Sequence, residues 1–315
     1  MNSEVLIIGG GVIGLGIARE LYLRGIREIT VLEKGVCGEE SSWAAAGMLG
    51  PQAEADEAGP FFDLCIGSRD LYPTFADDLL AETGIDIELD RSGTLYAAFT
   101  DEDERHLNSR FDWQKRAGLM LERLTGEETR RAEPFISPDV RMSLFFPSDW
   151  QVENRKLVAA LRHYADANGI DIRETSQVAS LVIENSRVTG AVTTTETFTA
   201  GKTVLATGAW SSLIKIGDAP MPFAVTPVRG QMICMRTAKR LFERVIYSRR
   251  GYIVPRADGR ILAGSTTEFA GFTKTVTDDA VGDLSNMACE IAPSMDSLPV
   301  VDSWSGLRPF ASDGL

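Results

Sequence analysis

Hydrophobic and polar residues follow two different periods along this chain, and the period predicts the elements. Apolar runs, unbroken or alternating, predict β-strands at residues 5–8, 28–32, 93–99, 177–183, 187–193, 202–205, 228–235, 252–255, 260–264 and 300–304. Apolar residues at helical spacing predict helices at residues 12–24, 61–83, 101–116, 154–168 and 277–291. Strands and helices alternate early in the chain, and strands dominate after Pro220. This order predicts a mixed α/β fold.

Proline, glycine and capping residues predict where several helices end. Pro73 predicts a kink or break within the helix at 61–83, and Gly84 is its expected end. Thr125-Gly126-Glu127-Glu128 matches a capping box, in which a threonine and a later glutamate each accept the other's backbone N–H. It predicts a short helix that Pro134 stops. The chain changes character between about residues 85 and 148, which looks like an inserted lobe.

The first strand leads directly into the glycine-rich turn Gly9-Gly10-Gly11-Val12-Ile13-Gly14, which opens the first helix. Gly9 permits the tight turn, Gly11 lacks the Cβ that would block a pyrophosphate, and Gly14 lets helix and strand approach closely. The N–H groups at a helix N-terminus are suited to binding an anion. The strand, turn and helix therefore predict a dinucleotide-binding unit.

Glu33 completes this unit at the end of the second predicted strand. It lies near the expected position of a carboxylate that hydrogen-bonds the adenosine ribose. A glutamate there also disfavours a 2′-phosphate. The motif by itself leaves both NAD and FAD open.

A run rich in very small residues follows, Ser41-Ser42-Trp43-Ala44-Ala45-Ala46-Gly47-Met48. Such side chains cannot build a core, so we expect the backbone to pack against a large flat ligand, with Ser41 or Ser42 capping a short helix against phosphate. An ordinary alanine-rich helix is the structural alternative. A second small-residue turn, Ala206-Thr207-Gly208-Ala209-Trp210, follows the strand at 202–205 and predicts another close approach of backbone to ligand.

Composition and charge limit the possible partners. The 315 residues include 32 Lys and Arg against 45 Asp and Glu, a net charge of −13, which argues against a nucleic-acid partner and requires a local cation for any anionic substrate. The four cysteines have no CxxC or zinc spacing, so we expect free thiols in a reducing cytoplasm and no metal site. No apolar run is long enough to cross a bilayer, and the N-terminus lacks a basic signal region. We therefore expect a cytoplasmic protein with no membrane partner.

The usual catalytic motifs of hydrolases and phosphotransferases are missing from the sequence. There is no GxSxG, HExxH or Walker A pattern. His106 and His163 are the only histidines, and both fall on predicted helices among charged residues. We expect both to be surface residues without a catalytic role.

With these motifs located, the chain resembles the flavin-dependent D-amino-acid oxidase family, and within it the bacterial glycine oxidases of thiamine biosynthesis. The resemblance runs from Val5 to Leu315 and depends most on the segment from Ser42 to Leu49 and on Gly306-Leu307-Arg308-Pro309. It implies a Rossmann-like FAD-binding domain formed by residues 1–90, 147–218 and 298–315. A substrate domain with an antiparallel sheet (α+β), formed by residues 91–146 and 219–297, is implied to be interleaved with it.

The resemblance also implies roles for individual residues. Arg308 is implied to bind the substrate carboxylate, and a guanidinium fork can hold a carboxylate bidentately. Tyr252 is implied to add a hydroxyl to that carboxylate or to close the pocket. A structural arginine and a sheet aromatic are the alternatives. Non-covalent FAD is implied to contact Gly9, Gly11, Val12, Ile13, Gly14, Glu33, Lys34, Ser41, Ser42, Ala45, Ala46, Gly47, Met48, Val178, Thr207, Gly208 and Trp210.

The implied reaction is oxidation of glycine or a small D-amino acid to its imine and keto acid, with O2 reduced to H2O2. The implied mechanism needs no dedicated base, because hydride leaves the substrate Cα when the amine is neutral. One alternative substrate is sarcosine or another N-methyl amine, and one alternative activity is a dehydrogenase that passes electrons to a carrier. The family pattern continues beyond Asp313-Gly314, so an impaired FAD-binding fragment is a further alternative. We also expect a homo-oligomer.

Overall fold

The computed structural model describes residues 2–311, whose strands form two eight-stranded sheets and a two-stranded one. The strands are β1 (Asn2–Ile8), β2 (Ile29–Leu32), β3 (Met48–Leu49), β4 (Thr94–Ala98), β5 (Glu122–Thr125), β6 (Met142–Phe146), β7 (Trp150–Gln151), β8 (Asp171–Arg173), β9 (Val178–Glu184), β10 (Arg187–Thr193), β11 (Thr197–Leu205), β12 (Lys215–Ile216), β13 (Ala219–Pro220), β14 (Val225–Arg236), β15 (Val245–Ser248), β16 (Gly251–Pro255), β17 (Arg260–Gly264) and β18 (Val300–Ala311).

Helices connect these strands and cover the sheets. The α-helices are α1 (Val12–Leu23), α2 (Ser41–Ala44), α3 (Pro51–Glu54), α4 (Pro60–Thr83), α5 (Asp101–Arg116), α6 (Gly126–Ala132), α7 (Asn154–Ala167) and α8 (Asp278–Ile291). Two 3₁₀ helices span Gly208–Leu213 and Pro293–Ser297. None of the described helices is both long and apolar enough to cross a membrane.

The first sheet, in the order β13-β12-β9-β10-β11-β1-β2-β8, has a parallel centre. β1 pairs in parallel with β2 and β11, and β2 pairs in parallel with β8. Alternate residues of β1 face opposite sides, so Ile7 packs with Ala18 of α1 and Tyr164 of α7. On the other side, Leu6 packs with Phe198 of β11. This burial on both faces explains why residues 5–8 of β1 are an unbroken apolar run.

The second sheet, in the order β18-β14-β17-β16-β15-β4-β6-β5, is antiparallel except for the pairing of β15 with β4. Its longest pairing joins β14 to β18, from Val225 opposite Ala311 to Met235 opposite Val300. Leu284 of α8 packs in the core beneath this sheet. The two sheets confirm the α/β fold with an added antiparallel sheet. The domain boundaries remain a prediction.

Several predicted elements are confirmed by their bounds. α5 and β17 begin and end at the predicted residues, and α7 and α8 differ from prediction by one residue. Thr125 and Glu128 form the predicted capping box, since Thr125 Oγ1 accepts from Glu128 N at 3.2 Å and Glu128 Oε2 accepts from Thr125 N at 2.8 Å. Gly84 ends α4 in a left-handed conformation with φ 72°. The described cysteines are all free thiols.

Other predictions are wrong where tertiary contacts outweigh the local signal. The break predicted at Pro73 is wrong, because α4 is continuous and Leu79 and its neighbours pack in a core with α7. The kink predicted as the alternative stays a prediction. The last strand does not end at Trp304, since its backbone continues to pair with β14 as far as Ala311. The strands β5, β6 and β15 lie in segments where no strand was predicted. The predicted cofactor-domain residues 312–315 lie outside the described part of the chain.

Two glycines of α1 provide a matched test of the glycine turn. A Cβ added at Gly14 would lie 1.9 Å from the carbonyl oxygen of Gly9, whereas one added at Gly16 meets nothing within 4 Å. We expect Gly14→Ala to lower the free energy of unfolding by at least about 2 kcal/mol, because backbone must move. We expect Gly16→Ala to raise it by up to about 1 kcal/mol through helix propensity. Urea unfolding of both variants measures the difference, and equal stabilities would contradict the steric assignment.

Candidate functional site

The glycine-rich turn between β1 and α1 is shaped by close backbone contacts. Gly9 has φ 109°, and a Cβ there would lie 2.2 Å from the carbonyl oxygen of Ala206. Gly14 packs directly on Gly9 O, which holds α1 against the end of β1. A Cβ on Gly11 would come within 3.1 Å of Ser42 Oγ. The turn therefore leaves an open surface between α1, α2 and the end of β11.

Glu33 is buried at the end of β2 and organises this turn from the other side. One of its carboxylate oxygens accepts from Gly10 N at 2.8 Å, and the other accepts from Gly35 N at 2.9 Å. Each carboxylate oxygen has a further lone pair for a ligand hydroxyl. Glu33 therefore fixes the two loops between which a nucleotide ribose would lie.

A cavity of about 460 Å³, hereafter the smaller cavity, opens in front of this turn. Predicted cofactor residues that line it are Gly9, Gly11, Val12, Ile13, Glu33, Lys34, Ser41, Ser42, Ala45, Val178, Thr207, Gly208 and Trp210. Gly14 lies behind the turn and is not part of this lining. The structure thus brings together residues that are separated by more than half of the chain.

Ser41 and Ser42 do not cap α2 as predicted. Glu40 is the N-cap residue of this four-residue helix, and no side chain there accepts a capping hydrogen bond. Ser42 Oγ instead accepts from Val12 N at 3.0 Å, at the start of α1, and the Ser41 hydroxyl donates to Leu307 O at 2.6 Å. Neither serine caps α2, because both hydroxyls form hydrogen bonds with backbone groups of other elements.

Charged and aromatic side chains close one edge of the smaller cavity. The Lys34 ammonium lies 4.0 Å from the centre of the Trp210 ring and is paired with Glu40. Glu40 also accepts from Lys274 at 2.9 Å, and the two lysines hold the pKa of its carboxyl below the usual value although burial opposes them. The Phe272 ring also packs on Trp210, with the ring centroids 5.8 Å apart. Residues of both halves of the molecule therefore meet at this edge.

A larger cavity of about 900 Å³ adjoins the smaller one. Four predicted cofactor residues, Val12, Ser41, Ser42 and Ala45, line both cavities, and Pro309 is also common to both. The predicted residues Ala46, Gly47, Met48, Tyr252 and Arg308 line only the larger cavity. The predicted cofactor and substrate residues therefore occupy one continuous space.

Arg308 faces the larger cavity from β18. Its guanidinium donates to Ser265 Oγ at 2.6 Å and to Thr266 O at 2.8 Å. Gly230 on the neighbouring strand makes room for it, because a Cβ there would lie 2.5 Å from Arg308 Nη2. Among the described residues no carboxylate lies within 4.0 Å of this guanidinium. Arg308 is therefore held in place yet able to bind an external anion.

Tyr252 of β16 lies in the same wall. Its hydroxyl donates to the thioether sulfur of Met232 at 3.4 Å, and its ring stacks on Tyr247 with centroids 5.8 Å apart. Burial raises the pKa of Tyr252, while hydrogen bonding to Ser265 and the charge of Arg308 act in the opposite direction. Tyr252 is therefore a neutral donor whose hydroxyl lies near the Arg308 group.

His106 is not the surface residue that was predicted. It is half-buried in the wall of the larger cavity, with its ring centre 5.9 Å from that of Tyr96. Burial and the neighbouring charge of Arg110 lower its pKa, which favours the neutral imidazole. His163 is exposed, as predicted.

Further lining residues of the larger cavity had no distinguishing signal in the sequence. They come from α3, α5, the second sheet and the loops next to them, and are Glu54, Asp56, Tyr96, Arg110, Tyr247 and Arg249. Glu54 lies in an acidic run that reads as a surface loop, and Arg110 lies in a highly charged helix. Only the packing of α3 against α5 and the sheet brings them to the cavity.

Comparison with known proteins identifies the family. The model of the family described as FAD dependent oxidoreductase (DAO) matches residues 4–315. The chain belongs to this DAO family. The glycine oxidase of Pseudomonas aeruginosa is 33% identical over 320 residues, which cover 100% of this chain and 85% of that protein. The bifunctional protein ThiO/ThiG of Synechocystis is 35% identical over 99% of this chain and 46% of that protein.

The fold of this DAO-family member is also that of a solved relative. The crystal structure of glycine oxidase from Geobacillus kaustophilus superposes with a TM-score of 0.93 at 34% identity and covers 100% of this chain and 84% of that chain. The chain is therefore an FAD-dependent oxidoreductase, and its similarity to glycine oxidases supports flavin-dependent oxidation of an amino acid.

The cavities of this DAO-family member fit FAD in shape and chemistry. The space in front of Gly11 is one that a Cβ would narrow, and it adjoins the start of α1, as pyrophosphate binding requires. The continuity of the smaller and larger cavities matches a ligand with a nucleotide end and a flat ring end. The small residues from Ala45 to Met48 leave room for the ring beside Arg308.

Glu33 is the residue through which the cofactor end can be tested. In Glu33→Gln an NH2 group replaces one acceptor oxygen and faces the N–H of Gly10 or Gly35, so the turn is disturbed. We expect the Kd for FAD to rise at least about tenfold, which corresponds to a loss of about 1.4 kcal/mol of binding free energy. Fluorescence titration of the apoprotein with FAD measures this. Glu39→Gln, an exposed change in the same loop, should leave the Kd unchanged.

Proposed function

We propose that this DAO-family member oxidises a small amino acid, glycine or a small D-amino acid, to its imine, which hydrolyses to the keto acid and ammonia. O2 accepts the two electrons and is reduced to H2O2. The carrying observation is that Arg308 lies in the larger cavity with no carboxylate partner among the described residues, next to the segment predicted to contact FAD. The glycine oxidases among the relatives support this choice of substrate class. By resemblance, the product would supply the thiazole branch of thiamine biosynthesis.

Arg308 has the role of binding and orienting the substrate carboxylate. Its bonds to Ser265 and Thr266 hold the guanidinium plane, so the remaining N–H groups point in a defined direction. Tyr252 adds a neutral hydroxyl beside it that can donate to the same carboxylate. The small amino acid is then held with its Cα facing the segment from Ala45 to Met48.

The chain's own residues supply position rather than a base. The chemistry that FAD supplies when bound is acceptance of a hydride from the substrate Cα and transfer of the two electrons to O2, which gives H2O2. The substrate amine must be neutral for this transfer, so its proton goes to solvent before the reaction. The turn at Gly9, Gly11 and Val12 and the carboxylate of Glu33 would hold the nucleotide end.

An absorbance spectrum tests cofactor and substrate together. We expect the purified protein to show flavin bands that bleach when glycine or D-alanine is added without oxygen, and to release H2O2 when air is admitted. Bleaching by sarcosine alone would make the chain an N-methyl amine oxidase. Bleaching without peroxide release would make it a dehydrogenase. A flavin that no amine bleaches would remove the proposed activity and leave an impaired FAD-binding protein.

Arg308 variants test how the carboxylate is bound. We expect Arg308→Ala to raise KM for the substrate at least about thirtyfold, equivalent to about 2 kcal/mol, because the site loses its cation. Arg308→Lys keeps the charge but loses the bidentate fork, so its KM should lie between the two. Arg187→Ala, an exposed change on β10, serves as the control. A KM that stays unchanged in Arg308→Ala would refute the role.

A further inference from the structure

Most of the charged residues that line the larger cavity are neutralised by a partner. Its other arginines each form an ion pair, Arg110 with Asp56 at 2.5 Å, Arg249 with Glu102 at 2.7 Å and Arg250 with Glu290. Within residues 2–311, two lining charges have no ion-pair partner within 4.0 Å, the cation Arg308 and the anion Glu54. The cavity therefore contains one free charge of each sign.

Glu54 is the last residue of α3; it lines the same cavity as Arg308, and more than a third of the residue is exposed. Burial raises the pKa of Glu54, whereas hydrogen bonding to Tyr247 and the positive charges of Arg110 and Arg308 lower it. Tyr247 lines the same cavity and stacks on Tyr252, so Glu54 shares this cavity with the wall that carries the substrate-binding groups. Its carboxylate is thus part of the electrostatic environment of any ligand held by Arg308.

A buried polar network fixes the short segment that carries Glu54. Gln52 is 2% exposed and donates to Gln114 Oε1 at 3.0 Å, while Gln114 Nε2 donates back to Gln52 O at 2.7 Å. Arg110 also donates to Gln52 O, at 3.0 Å. Asp149 accepts from the backbone N–H of Ala53 at 2.8 Å. With its backbone and the Gln52 side chain bonded in this way, the segment cannot easily turn Glu54 away from the cavity.

Size alone does not restrict this cavity to a small substrate. Its volume of about 900 Å³ lies near the upper end of the range for ligand sites. Gly230 and Ser265, which contact Arg308 in the wall of the cavity, are small residues. Selectivity for small neutral side chains therefore needs another physical cause.

We propose that Glu54 is a specificity-determining residue that excludes substrates carrying a second anionic group. The inference rests on the proposed function, since it takes Arg308 as the site of the substrate carboxylate. With that carboxylate on Arg308, a second carboxylate would enter the field of Glu54. Like charges in a partly desolvated cavity repel more strongly than in water. A neutral group of the same size is not repelled in this way, and the substrate ammonium is attracted by the Glu54 carboxylate.

Paired ligands that differ by one charge test this directly. Succinate and its monoamide, succinamate, have the same size, neither can be oxidised as an amine, and each offers one carboxylate to Arg308. Binding to the oxidised holoenzyme is followed at alkaline pH through the change in flavin absorbance. We expect the wild-type protein to bind succinamate about tenfold more tightly than succinate. In Glu54→Gln the two ligands should bind with nearly equal Kd.

Matched variants separate charge from structure. Glu57→Gln removes an exposed charge three residues away that does not line the cavity, and it should keep the wild-type preference. Glu54→Asp keeps the charge and should also keep the preference. If Glu54→Gln does not retain FAD, Glu54→Ala provides the second neutral variant. In turnover, D-asparagine should be preferred to D-aspartate by the wild-type enzyme, and the neutral variants should lose that preference.

The outcomes distinguish this inference from the function on which it rests. Equal binding of the two acids by the wild-type protein, or a preference that persists in the neutral variants, overturns the role of Glu54 and leaves Arg308 intact. If neither acid perturbs the flavin, the carboxylate site at Arg308 fails and the role of Glu54 fails with it. A preference present in the wild type and absent only from the neutral Glu54 variants supports it.

Discussion

Strand β18 is the physical link on which the candidate site depends, because it belongs to the second sheet and contacts the cofactor side of the molecule. Its backbone pairs with β14 over its whole length. Leu307 O accepts from the Ser41 hydroxyl at 2.6 Å, and Trp304 Nε1 donates to Ala44 O at 2.9 Å. Arg308 follows Leu307 directly, so strand register sets its place beside α2. A site held this way is positioned by regular secondary structure rather than by a loop.

The contact between β18 and the cofactor side of the molecule leaves no room for side chains at some of the positions where the two sides meet. A Cβ on Gly306 would lie 2.5 Å from Ala44 Cβ, and one on Gly47 would lie 2.1 Å from Val152 O. The buried guanidinium of Arg256 fastens this junction by donating to Ala46 O at 2.9 Å and to Val152 O at 2.8 Å. The small residues from 41 to 48 therefore allow close packing between the sheets and also leave space for a flat ligand. The ligand-binding and the structural interpretation of this segment are thus compatible.

Local signals in the sequence were sufficient for much of the fold. Capping residues, glycine stops and apolar periodicity gave the bounds of α5, α7, α8 and β17, because these depend on neighbours within a few residues. The full length of β18 could not be predicted, since it depends on pairing with β14 some 75 residues away. The partners of Ser41 and Ser42 are set by other elements in the same way. Glu54 had no signal at all, because only the contacts of α3 give it a role.

Charge shows most clearly why composition does not determine a site. A net charge of −13 predicts weak affinity for anions, yet the larger cavity is lined by four arginines. Three of them are neutralised by carboxylates, so the number of cations says little about where an anion binds. What matters is which charge is left without a partner after folding. That is Arg308 among the lining cations, and the free carboxylate of Glu54 in the same space means that the field changes sign across the cavity. A zwitterionic amino acid suits such a field better than an anion does, because its carboxylate meets the positive charge of Arg308 and its ammonium meets the negative charge of Glu54.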